Sequence, residues 1–278
     1  MDGTICPDKQ PRKTSVVVST PNAGFSALVY REPFVKSFAK AAALGFRGVE
    51  VAIRDPKMVS AGELLHLAEE YQLKICALGT GQAYGTDGLS FTHPDQSVRR
   101  KALDRIKDHL ALAAELDALV IIGLIRGKRP PEEPVLAIEG RMLEGLKACA
   151  DEAVRQGADL VIEPINRYET NLLNTVGEAL KILDELAVPR VGVLLDTFHM
   201  NIEERSITES IRKAGSRIKH VHVADSNRWA PGFGHLDFGA ILAELRAVGY
   251  DGFLSAEILP YPDPDSAARK MVETLADL

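Results

Sequence analysis

Four short apolar runs in the second half of the chain end in residues that such runs do not ordinarily tolerate. They read Val161-Ile162-Glu163-Pro164, Val193-Leu194-Leu195-Asp196, Lys219-His220-Val221-His222-Val223-Ala224-Asp225 and Leu254-Ser255-Ala256-Glu257-Ile258. Brought to one place, Glu163, Asp196, His222 and Glu257 would make a cluster of three carboxylates and one imidazole. Burying three carboxylates together is prohibitive unless a cation neutralises them. Oxygen-rich ligation with one histidine suits a single divalent metal ion, Mn²⁺ first and Mg²⁺ or Co²⁺ next, with Zn²⁺ less natural. Taken singly, each acid has a plainer reading as a helix N-cap or ion-pair partner; Asp196, followed by Thr197 and a helical segment, is the clearest such case. Four in succession at matching depth argue for the metal. Of the two histidines, strand alternation is expected to send one inward and one outward. His222 is then the ligand, and His220 a packed or outward residue.

The elements that must position these groups are legible as a repeat. Short β-branched runs occur at Ser15–Ser19, Gly48–Ile53, Lys74–Gly79, Ala118–Gly123, Asp159–Pro164, Val191–Asp196, Ile218–Ala224 and Gly252–Ile258. Most are continuously apolar, as parallel strands buried on both faces are. Between them lie segments of helical period, clearest over Gln96–Asp117, where Leu103, Ile106, Leu110 and Ala114 share one face. Glycines at Gly45, Gly157 and Gly249 mark helix-to-strand turns. An open doubly wound sheet is the alternative, but no GxGxxG follows the first strand and no P-loop appears. The expected fold is therefore α/β, a closed (β/α)8 TIM barrel, with its chemistry at the C-terminal ends of the strands. It is expected to form one domain over residues 1–278, with 1–14 a loose N-terminal extension.

Composition removes several function classes. There is no run of about 18 apolar residues to span a membrane, and the opening MDGTICPDKQPRKTS has no apolar core of a secretory signal. Three scattered cysteines, Cys6, Cys76 and Cys149, make neither a disulfide framework nor a zinc site. A net charge of −6 offers nothing to a polyanion, so no nucleic-acid partner is expected. The expected compartment is the cytoplasm.

The stretch from Glu163 to Glu257 resembles the xylose-isomerase-like sugar isomerase and epimerase superfamily, in its D-tagatose and D-psicose 3-epimerase branch. The motifs are E-P-I-N-R-Y-E from Glu163, D-T-F-H-M-N from Asp196 and H-V-A-D-S-N-R from His222, with the four ligands 33, 26 and 35 positions apart. Further motifs, G-T-G-Q-A-Y at Gly79, G-L-S-F-T-H-P-D at Gly88, G-L-I-R-G-K-R at Gly123 and A-D-S-N-R-W-A-P-G at Ala224, look like the 5-keto-L-gluconate epimerases. The resemblance implies one divalent metal held by Glu163, Asp196, His222 and Glu257. It implies a sugar or sugar-acid substrate and a homo-oligomer, dimer or tetramer. It also implies that Glu163 and Glu257 remove and return a proton beside a ketose carbonyl, while His199, Arg228 and Glu169 hold the substrate. An aldose–ketose isomerase would use the same groups, and a non-catalytic sugar-binding barrel would lack one of the glutamates. Three-zinc DNA-repair relatives need histidines at earlier strand ends that are missing here.

Around this set the residues suggest further contacts. Arg126, after the fourth strand, would bind a carboxylate or phosphate bidentately, and Lys128 and Arg129 would either join it or form a solvated basic loop. Tyr84 would cover the substrate. Trp229, the only tryptophan, would form an apolar wall or a dimer contact. Glu50 is expected in a structural ion pair with Arg54 or Arg47 or in contact with substrate, His66 and His109 on a helix surface or in packing, His93 in local structure, and His235 is a lesser candidate for ligand contact.

Overall fold

The computed structural model describes residues 12–278, so Cys6 and most of the expected N-terminal extension lie outside the described residues. The eight expected strands are present: β1 (Thr14–Ser19), β2 (Gly48–Ala52), β3 (Lys74–Gly79), β4 (Leu119–Ile122), β5 (Asp159–Ile162), β6 (Val191–Asp196), β7 (Ile218–His222) and β8 (Leu254–Ala256). Each pairs in parallel with the next, and β8 returns to β1 through Thr14↔Leu254, Ser15↔Ser255 and Val16↔Ala256, so the sheet closes. A two-residue strand, Tyr30–Arg31, lies against the outer end of β1 and has no counterpart in the sequence reading.

The outer ring comprises helices α1 (Phe34–Ala43), α2 (Ala61–Glu70), α3 (Gly81–Gly85), α4 (Gln96–Leu116) and α5 (Val135–Gln156). It continues with α6 (Val176–Leu186), α7 (Thr197–Glu203), α8 (Ile207–Ala214), α9 (Phe238–Ala247) and α10 (Pro264–Asp277). α4 begins on an Asp95 side chain that accepts from the Ser97 N–H, and it ends at Asp117 in the left-handed region, φ 50°. His109 of this helix is buried, with its ring nitrogens at the Arg105 and Ile53 carbonyls, which is the packing role expected of it.

The core divides as a barrel requires. Val16, Val18, Leu160, Ile162, Val193 and Leu195 face the helices, while Val17, Cys76, Ala77, Ile121, Val161 and Leu194 belong to separate, smaller clusters inside. Counting two residues on from the inward-facing Val161 and Leu194 gives Glu163 and Asp196. Alternation therefore aims both acids at the mouth.

Candidate metal and substrate site

Each member of the cluster is placed by its strand. Asp196 is an N-cap as the plainer reading has it: Oδ1 caps α7, accepting from Phe198 N–H at 2.8 Å and His199 N–H at 3.3 Å, and Oδ2 is left facing the mouth. Glu163 follows β5 directly and lies beside Gly123, the residue after β4. A Cβ at Gly123 would come within 2.8 Å of Glu163 Oε2, so the carboxylate occupies space that only glycine leaves. His222 Nδ1 lies 3.6 Å from Glu163 Oε1, 3.7 Å from Asp196 Oδ2 and 3.6 Å from Glu257 Oε2.

Three of these atoms, Glu163 Oε1, Asp196 Oδ2 and His222 Nδ1, are buried with no hydrogen-bond partner. Buried polar atoms are nearly always satisfied, and here the orphans converge. One ligand atom from each of Glu163, Asp196, His222 and Glu257 falls within 4.8 Å of all the others. Burial pushes the Glu257 carboxyl up to about 8; His222 and Arg228 oppose the shift, and Glu163 and Asp196 add to it. The cluster is short of positive charge, and its donors fit one divalent cation.

His220 departs from expectation. Residues two apart share a strand face, so His220 points inward with His222 rather than opposite it. The register between β6 and β7 also slips at Val193/Leu194, which pair with Ile218 and His220 and leave Lys219 as the extra residue of a bulge. Glu50 of β2 corrects a second expectation. Arg54 pairs with Asp87 instead, and the Glu50 carboxylate is sealed inside the barrel. It lies 2.9 Å from His220 Nε2, and 3.0 and 3.2 Å from His222 Nε2, and it accepts from Ser255 Oγ at 2.9 Å. Burial alone would raise its pKa, but the two imidazoles outweigh that and hold it well below the usual carboxylate range. With Nε2–H given to Glu50, His222 presents the Nδ1 lone pair to the cluster.

A second network stands above the first. Asn166 Oδ1 accepts the Tyr168 N–H, so its amide nitrogen faces Glu169 Oε1 at 3.0 Å and His199 Nδ1 at 2.7 Å. His199 Nδ1 must therefore accept, and Nε2 carries its proton toward the mouth. That nitrogen lies 3.7–3.8 Å from Asp196 Oδ2 and Glu163 Oε1, placed as a donor rather than a metal ligand. Arg228 donates to Glu169 Oε1 and Glu257 Oε2, each at 2.8 Å, with its guanidinium 5.5 Å from the Phe25 ring and 5.0 Å from the Phe198 ring. Burial works against its charge, but Glu257, Asp196 and Glu169 more than compensate and keep it protonated.

The loop carrying Arg228 is pinned by Asp225, whose carboxylate accepts from the N–H groups of Ser226, Gly232 and Leu236 at 2.8–3.1 Å. Burial raises the Asp225 pKa, and these backbone donors bring it below the usual value.

Over these groups opens a cavity of about 900 Å³, counting its open side, walled by Phe25, Gln82, Thr86, Ile165 and the two networks. Three expected substrate contacts do not reach it. Arg126 is fully buried and turned into the protein, giving Nη1 to Gly123 O at 2.7 Å, Nε and Nη2 to Leu172 O, and Nη2 to Leu173 O. A guanidinium with three carbonyls around it has no fork left for an anion. Its neighbours extend the tie between the two loops, through Thr170 Oγ1 to Gly127 O and through Asn171 to both backbone groups of Arg129. Tyr84 packs against the core, and Gln82 of the same short helix lines the cavity instead. Trp229 stacks on Tyr261, with ring centroids 4.0 Å apart and planes at 11°. His235 is exposed on the loop, bonded to Ser226 Oγ at 2.9 Å.

Sequence reasoning overlooked Phe25, Gln82 and Asn166. Asn166, inside the E-P-I-N-R-Y-E motif, and Gln82, inside the G-T-G-Q-A-Y motif, carried a signal; Phe25, on the loop after β1, carried none.

The geometry can be set beside known proteins. Residues 38–278 match the family model described as xylose isomerase-like TIM barrel. An L-ribulose 3-epimerase of Methylomonas sp. is 33% identical over 227 residues, covering 80% of this chain and 77% of the relative. A D-psicose 3-epimerase of Agrobacterium fabrum is 34% identical over 231 residues, 81% of this chain and 78% of the relative. A crystal structure of D-allulose 3-epimerase from Methylomonas sp. in complex with D-allulose superposes with a TM-score of 0.79 at 26% identity, covering 96% and 98% of the two chains.

Proposed function

This chain belongs to the xylose isomerase-like TIM-barrel family, and from that premise we propose that it is a divalent-metal-dependent carbohydrate epimerase inverting C3 of a ketose. The observation that carries the reading is the convergence of three unpartnered buried atoms with a fourth donor, Glu257, at one mouth of the barrel. Glu163, Asp196, His222 and Glu257 would hold the ion, Mn²⁺ by preference. When bound, the cation polarises the carbonyl and offsets the negative charge that builds on the substrate oxygens during proton removal.

The remaining work falls to the side chains. Glu163 and Glu257 approach from β5 and β8, so one takes the C3 proton and the other delivers a proton to the opposite face. His199 Nε2–H faces the substrate oxygens as a donor. Arg228, clamped by Glu169 and sandwiched by Phe25 and Phe198, holds Glu257 in place and lends positive charge above the reacting carbon. Among the described residues one arginine, Arg228, lines the cavity, and it is already paired with two carboxylates, which favours a neutral ketose. The motif likeness to 5-keto-L-gluconate epimerases supports a keto-sugar acid as the second reading.

The test is incubation of the metal-loaded protein with neutral ketoses and keto-sugar acids in D₂O, followed by proton NMR after the protein and ion are removed. Deuterium at C3 with the epimeric product is the expected result. Exchange at C1 or C2 with an aldose product would make the enzyme an isomerase, and no exchange with any candidate would sink the substrate class.

A further inference from the structure

Gln82 is a polar group of the cavity wall that neither network employs. It stands on α3, 6% exposed, on the side of the barrel away from β5–β8. Its Nε2 lies 3.1 Å from the Ala52 carbonyl oxygen and 3.1 Å from Ser19 Oγ. The carbonyl can only accept. Ser19 Oγ spends its own hydrogen on the same Ala52 oxygen at 2.7 Å, so toward Gln82 it too must accept. Both partners therefore demand the NH₂ end, and the amide cannot be flipped. Oε1 has no protein partner among the described residues, and it is not among the sealed unpartnered atoms, so with Gln82 lining the cavity it opens there.

We propose that Gln82 is a specificity residue that reads a substrate hydroxyl remote from the metal, at C5 or C6, by accepting its hydrogen at Oε1. The inference rests on the ketose-epimerase reading and adds to it the group recognised at the far end. A carbonyl-type oxygen held in fixed orientation accepts a hydroxyl donor and gives nothing to a methyl group or to an ionised carboxylate, which has only lone pairs to offer. Ser19 and Ala52 hold the amide from behind, so its orientation is set before substrate arrives.

The experiment compares kcat/KM of the metal-loaded protein for its best ketohexose and for the 5-deoxy and 6-deoxy analogues. One analogue is expected to fall by about tenfold to a hundredfold. In Gln82→Leu the parent ketohexose should fall by a similar factor while that analogue is unchanged, with metal affinity as in the unmodified protein. Both analogues staying within about twofold of the parent on the unmodified protein, or parent and analogue falling together in the variant, would overturn the assignment. Should Gln82→Leu fail to fold, Gln82→Met and the unmodified-protein comparison still decide. Absence of C3 exchange on every ketose is a different failure: it removes the epimerase reading, and this inference with it.

Discussion

The floor and the rim of this barrel mouth hold polar side chains in opposite ways. On the floor, Glu50, Glu163, Asp196, His220, His222 and Glu257 project from strands or the residue just beyond them. Their positions follow from alternation, and three of their atoms are left open toward one point. On the rim, Arg126, Tyr84 and Trp229 are carried by loops and short turns, and each has its needs met by the protein: carbonyls for Arg126, core for Tyr84, a stacked ring for Trp229. The floor leaves converging polar atoms unsatisfied, while these rim residues find their partners within the protein. Residue type alone does not separate the two, since an arginine at a barrel mouth is as good an anion binder on paper as any.

The contrast can be broken at either end. The largest effect is expected of Glu257→Gln, which should lower kcat by about a thousandfold and weaken metal binding with the circular dichroism spectrum unchanged; near-normal turnover would remove Glu257 from the mechanism. Arg126→Met should cost about 3 kcal/mol of stability, because three buried carbonyl contacts lose their donor. Chemical denaturation measures it, and an unchanged metal Kd in the folded variant would keep Arg126 outside the site. Glu50→Gln should weaken the metal by about tenfold to a hundredfold in titration calorimetry, because it supports the ligand His222 from behind.

A smaller effect concerns the loop after β7. The Asp225 carboxyl is depressed on folding, so its contribution is complete above its unfolded pKa of about 3.9 and is lost as pH falls through the folded value. Trp229 fluorescence should report that acid transition, which Asp225→Asn should abolish. Substrate binding at neutral pH should leave the same emission nearly unchanged, and a large change would return Trp229 to the cavity wall.

The same contrast sets what can be read from the sequence. Period-two alternation and the apolar runs suffice to place Glu163, Asp196, His222 and Glu257, and the eight strands with them, because strand geometry fixes where a side chain goes. His220 is misplaced by an error of counting, since residues two apart share a face, and the Lys219 bulge could not have been foreseen. Glu50 hides behind a nearby arginine in the sequence, and only closure of the barrel brings it to His220, His222 and Ser255 from across the interior. Arg126 and Gln82 depend on the paths of a tight turn and a one-turn helix after their strands, where no repeating geometry ties residue number to direction.

Barrel enzymes are often treated as scaffolds whose loops vary one at a time. Here the loop after β4 and the loop after β5 are zipped by Arg126 to Leu172 and Leu173, Gly127 to Thr170, and Arg129 to Asn171. An insertion in either strands the bonding groups of the other. For descent and for engineering alike, the unit of exchange at this edge of the mouth is the pair, and a graft that replaces one loop alone inherits half a hinge.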